Sequence, residues 1–159
     1  AVTGHAMGLG ASIALLCDVV VMSETARLGD PHVRVGIVAG DGGTIAWPLA
    51  LGPVLAKRFL LTGDAIGAEE AARLGLITES TPDAETCRAA GLTWARRLAA
   101  GAPQAVQYTK QAVNAWIKQT MGSSFDLSTA LEMLTFTSED HAEALAALAE
   151  KREPRFTGR

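Results

Sequence analysis

Apolar positions occur first in short bursts and later in helical stripes. Residues 11–17 are apolar with small members, which predicts a buried helix packed closely on a sheet and stopped at Asp18. Val19, Val20, Val21 and Met22 form a run of strand length, apolar on both faces, as expected of a strand covered on both sides. Residues 26–29 predict a further short strand. Residues 29–43 hold Gly29, Gly36, Gly40, Gly42, Gly43 and Pro31, a long loop of the kind that more often serves function than connection. Helical stretches at 44–51 and 53–61 are separated by Gly52 and Pro53. A short helix at 68–74 has Glu69 and Glu70 in its first turn and Gly75 at its end, and a strand at 76–78 follows. Thr81 and Pro82 read as the cap and first residue of a helix reaching about residue 100. Pro103 opens another, expected to end at Gly122. Thr137 to Asp140 resembles a capping box ahead of the stripe Ala142, Leu145, Leu148. The predicted fold class is therefore α/β, glycine-rich in residues 1–80 and nearly all-α in residues 81–150.

Composition narrows the function classes. A chain of 159 residues suits one domain, and 48% apolar residues exclude intrinsic disorder. A net charge of −3 argues against nucleic acid as a partner. No apolar run of 18 residues is present, so no membrane partner is expected. Cys17 and Cys87 lie far apart without neighbouring metal ligands. Both are expected to be reduced thiols of a cytoplasmic protein, Cys17 in the core, with no disulfide and no zinc. Trp47, Trp94 and Trp116 are expected to pack, and His141 to be solvated. The chain opens Ala1-Val2-Thr3-Gly4, which reads as the end of a strand entering a glycine turn, so it is expected to be part of a longer protein.

Two segments carry candidate chemistry. Gly4, Gly8 and Gly10 precede a helix, but Ile13 stands where a dinucleotide fingerprint needs its third glycine, and no Lys-Ser/Thr follows for a P-loop. Two readings remain: tight packing, or an anion or oxyanion site at free N–H groups. The second segment, residues 30–44, places Asp30, His32, Arg34 and Asp41 in a glycine-rich loop. An imidazole or carboxylate there can act as acid or base if an apolar wall tunes it. The alternative is a surface loop in which Asp41 caps the next helix.

A resemblance runs through these segments. Ala1-Val2-x-Gly4-x-Ala6-x-Gly8-x-Gly10, Leu15-Leu16-Cys17-Asp18 and Gly36-Ile37-Val38-Ala39-Gly40-Asp41-Gly42-Gly43-Thr44 resemble, in order, the second half of the crotonase (enoyl-CoA hydratase/isomerase) family. So do Leu61-Thr62-Gly63-Asp64 and Ala68-Glu69-Glu70-Ala71 with Gly75-Leu76-Ile77. The resemblance implies the C-terminal part of a ββα-superhelix, the crotonase spiral, in residues 1–80, then a mostly helical oligomerisation region in 81–159. It implies an acyl-CoA thioester substrate, a homotrimer or hexamer, and no metal or cofactor beyond the substrate's own coenzyme A. The Leu9 N–H takes the place of one oxyanion donor, while the other donor and most of the adenine site would precede residue 1. Ala6, Met7, Gly8, Gly10, Pro31 and Gly40 are implied to line the substrate site.

The acid–base positions depart from the hydratase pattern: Ser12 and His32 stand where hydratases carry glutamates. His32 can serve as a base near neutral pH, with Asp41 orienting it or acting directly. Three outcomes stay open: a hydratase, an isomerase or other enolate chemistry, and a non-catalytic acyl-CoA binding or assembly protein. By itself the chain is expected to be a poor hydratase.

Overall fold

A computed structural model describes all 159 residues, 62% of them helical. Strand β1 (Ala6–Met7) leads through a tight turn at Gly8 into helix α1 (Leu9–Leu15), followed by β2 (Val21–Ser23) and β3 (Leu28–Gly29). After a 3-10 turn at His32–Val35 come α2 (Gly43–Thr62), β4 (Ala65–Ile66), α3 (Ala68–Arg73) and β5 (Glu79–Thr81). Three helices complete the chain: α4 (Ala84–Ala99), α5 (Pro103–Phe136) and α6 (Glu139–Glu150). β1 pairs parallel with β3, and β3 antiparallel with β4; β2 pairs parallel with β5. The parallel pairs require crossovers, which α1 and the α2–α3 segment supply.

The largest buried cluster lies between Ala11 and Ile77 and includes Met22, Leu28, Trp47, Phe59 and Ile66. The rings of Trp47 and Phe59 sit 5.3 Å apart at its centre. Helix α2 is long and apolar enough, by length and composition alone, to cross a membrane. Here it kinks at Gly52, as the sequence predicts, and sends Ile45, Ala46, Trp47, Ala56 and Phe59 into the core.

Several expectations are corrected. Helix α1 begins and ends two residues early, so Cys17 lies beyond it and is exposed; the core-facing positions are Ala11 and Ser12. The predicted strand at 76–78 is a turn, because Leu76 and Ile77 plug the core before pairing starts at Glu79. Thr81 closes β5, and its hydroxyl donates to the Met22 carbonyl, so it cannot cap α4. Asp83 caps instead, in a reciprocal box with Thr86. Gly122 kinks α5 without ending it. In α6 the buried face is Ala144 and Ala147, while Ala142, Leu145 and Leu148 face outward. Trp94 donates to Glu79 at 2.8 Å, and Trp116 is 58% exposed.

The Trp47–Phe59 pair sets a stability prediction. Phe59→Ala removes a ring buried to 2% exposure and should cost about 3–5 kcal/mol, read as a lower denaturant midpoint. A loss below about 1 kcal/mol would show that the core closes over the cavity.

Candidate functional site

The site forms where the 30–43 loop folds against the start of α1. Pro31 precedes the 3-10 turn, which swings the His32 side chain back toward Asp30. Asp30 is fully buried, and its Oδ1 accepts from His32 Nδ1 at 2.5 Å. A carboxylate can only accept, which fixes the proton on Nδ1 and leaves Nε2 as the reactive nitrogen. Nε2 faces Asp41 Oδ2 at 3.4 Å and Glu132 Oε1 at 3.9 Å. The donor atoms of Asp30, His32 and Asp41 lie within 4.8 Å of one another, a spacing a cation could bridge. The short Asp30 contact is a hydrogen-bond length and already occupies Nδ1.

Two glycines make this arrangement possible. Gly8 turns the chain from β1 into α1 at φ 54°, and a Cβ there would stand 2.9 Å from the His32 ring. At Gly43 a Cβ would collide with Asp30 Oδ2. The imidazole therefore sets its Cε1 edge against the turn that opens α1. As first residue of that helix, Leu9 has an N–H with no acceptor within it. The neighbouring N–H groups of Gly8, Ala11 and Ser12 are taken by Gly29 and Gly8 carbonyls, and no bond takes that of Leu9.

Of the residues singled out in the sequence, Gly8, Leu9, His32 and Asp41 come together. Ala6 and Met7 lie just before them in β1, Gly10 just after in α1, and Pro31 beside His32. Ser12 is 1% exposed and packs against Gly42, its hydroxyl without a partner in the protein. Gly40 faces α5, where Ser128 donates to its carbonyl at 3.2 Å. Asp41 does not cap α2, whose first turn has no side-chain cap. Sequence reasoning missed the role of Asp30 and did not consider Glu132 at all. The expectation that His141 is solvated is also corrected: its Nδ1 lies 2.7 Å from the Val35 carbonyl, tying α6 to the 3-10 turn.

Comparison with known proteins bears on the whole chain. A family model described as enoyl-CoA hydratase/isomerase matches residues 1–159. The chain is 38% identical to 2,3-dehydroadipyl-CoA hydratase of Escherichia coli, with all of this chain and 62% of that protein covered. It is 36% identical to short-chain-enoyl-CoA hydratase of Clostridium acetobutylicum, over 96% of this chain and 58% of that one. The crystal structure of carnitinyl-CoA hydratase from Mycobacterium avium superposes with a TM-score of 0.91 at 34% identity, covering 99% of this chain and 61% of that one. The chain thus spans about three-fifths of the length of these relatives.

The electrostatics of the cluster depend on pH in one direction. The hydrogen bond to Asp30 holds the His32 pKa above its ordinary 6.5, against the opposing effect of burial, with the charges of Asp30, Asp41 and Glu132 adding to the rise. Burial pushes Asp41 up from 3.8, opposed by the His32 charge. Burial and the Asp41 charge push Glu132 up from 4.5. All three groups bind protons more tightly folded than unfolded, so the cluster loses stability as pH rises. The His32 share is fully present below pH 6.5 and disappears as pH rises through its folded value. His32→Gln should therefore flatten the fall in denaturant midpoint above pH 6.5. An unchanged pH slope in that variant would contradict the assignment.

Proposed function

As the chain belongs to the enoyl-CoA hydratase/isomerase family, we propose that it acts on acyl-CoA thioesters through an enolate-like intermediate, with His32 as the acid–base group. The observation that carries this reading is the imidazole packed on Gly8, with Nδ1 held by Asp30, Nε2 facing Asp41 and Glu132, and the unpaired N–H of Leu9 on the residue that follows Gly8. The Leu9 N–H donates to the thioester oxygen as charge grows on it. His32 Nε2 removes or returns the proton on the adjacent carbon. Asp30 keeps the ring in the tautomer that leaves Nε2 basic, and Asp41 steers its exposed edge. Ala6, Met7, Gly8, Gly10, Pro31 and Gly40 surround the acyl-CoA, and no resident metal or cofactor takes part.

Ser12 favours one branch within this reading. Hydration draws on two carboxylates to place and split water, and Ser12 supplies a neutral hydroxyl that is walled off behind Gly42. Proton relocation along the acyl chain needs a single acid–base group beside an oxyanion donor, so isomerisation is the reaction we favour over hydration.

The same proposal includes the wider architecture. Residues 1–80 correspond to the C-terminal part of the family's spiral core and 81–159 to a helical oligomerisation region, in a cytoplasmic homotrimer or hexamer. Support comes from the outer faces of α4 and α5, where Leu98, Val106, Val113 and Trp116 are exposed around an apolar groove of about 670 Å³.

Turnover of a crotonyl-type thioester and of its double-bond isomers by the full-length protein tests this. His32→Ala should reduce turnover about 100- to 10,000-fold. Asp30→Asn, which keeps the shape and upsets the tautomer, should cost about 100-fold or more. An active enzyme indifferent to both substitutions would place the acid–base group elsewhere. Turnover of no thioester, with binding retained, would favour the non-catalytic reading.

A further inference from the structure

Helix α5 brings a carboxyl to the site for which packing alone gives no reason. Glu132 is 8% exposed, accepts no hydrogen bond in the protein, and has no lysine or arginine within ion-pair reach. Its placement is nonetheless held on both sides. One turn earlier Ser128 donates its hydroxyl to the Gly40 carbonyl, and three residues later Thr135 Oγ1 accepts from the Val38 N–H at 3.1 Å. Ser128, Glu132 and Thr135 thus share the helix face that docks on the loop. Gly40 leaves room for this docking: a Cβ there would stand 2.6 Å from the Glu132 Cβ and 2.8 Å from its Oε2. An apolar side chain would fill this place without burying an unpaired acid.

We propose that Glu132 is a positioning residue that, with Asp41, governs whether the Nε2 edge of His32 carries a proton. The inference rests on the acid–base reading of His32 and extends it. The charged groups acting on Glu132 are Asp41, His32 and Asp30, and its neighbours Ser128 and Thr135 on α5 are uncharged. Three carboxyls thus meet one imidazole in a site with restricted access to water. Asp30 is committed to Nδ1, which leaves Asp41 and Glu132 to divide the remaining negative charge around Nε2. Their combined field strengthens the imidazole as a base.

Glu132→Gln keeps the shape and removes the charge. In the full-length protein, the NMR titration midpoint of the His32 imidazole should move to lower pH. The acid limb of kcat/KM should move with it, and kcat should fall about 10- to 100-fold with little change in KM. Glu132→Asp, checked for folding by circular dichroism, should restore part of the midpoint shift. A midpoint that stays in place in a folded Glu132→Gln protein overturns the proposal, including where kcat falls, since that fall would then be structural. His32→Gln run alongside separates the two claims. Full activity there defeats the acid–base role of His32, while the midpoint in Glu132→Gln decides the role of Glu132 by itself.

Discussion

A carboxylate with no access to water must find a hydrogen-bond donor, and for Asp30 that donor is His32. The arrangement around the loop follows from this. Asp30 ends the segment leaving β3, so its partner must return to it within two residues, and the 3-10 turn after Pro31 makes that return. Oδ2 then presses on Gly43, so α2 must open on a residue without a side chain. The other edge of the ring meets Gly8, so β1 must enter α1 through another. Glycines that look like loose loop composition in sequence are thus the places where one hydrogen-bonded Asp30–His32 pair displaces side chains.

The loop is also pinned from outside. Arg34 donates to the Thr62 carbonyl and to Asp64, tying the 3-10 turn to the end of α2. His141 holds the Val35 carbonyl and meets Phe136 edge-on. Ser128 and Thr135 hold residues 38–40. Each bond contributes only about 0.5–1.5 kcal/mol, but they come from three helices and constrain one short segment. A loop fixed this way can hold an imidazole in one orientation, which acid–base chemistry requires.

Local chemistry in the sequence shows part of this well. The Gly8 turn, the Gly52 kink and the pairing of His32 with its own loop depend on residues close in the chain. Other features depend on partners far away. Glu132 enters the site only because α5 continues past Gly122, and a glycine alone does not tell a kink from an end. The stripe in α6 fits leucines and alanines equally well by spacing. In the folded chain the small Ala144 and Ala147 take the buried positions, which leaves Leu145 and Leu148 outside. Cys17 follows an apolar run that spends its core contacts before reaching it. Asp30 was visible but carried no signal, since an acid before Pro31 is an ordinary turn residue until β3 buries it.

Helix α6 joins the site to an opposite dependence on pH. At its start Asp140 accepts from the Thr157 and Gly158 N–H groups, bonds that hold its pKa below 3.8. Glu143 is held at about 2 by Arg152 and the Arg155 N–H, which folds the tail 152–159 along the helix. Carboxyls shifted downward contribute stability above their unfolded values and lose it as pH falls through the folded ones. These groups are exposed, so salt screens them. The His32 cluster behaves in reverse, losing stability as pH rises. The two meet at Asp140 and His141, whose backbone packs against Gly36 at the end of the 3-10 turn. Acid loosens the tail that braces α6, and base loosens the cluster that α6 in turn braces. The loop carrying His32 is therefore held most firmly between those limits, on the acid side of the range where the imidazole gives up its proton.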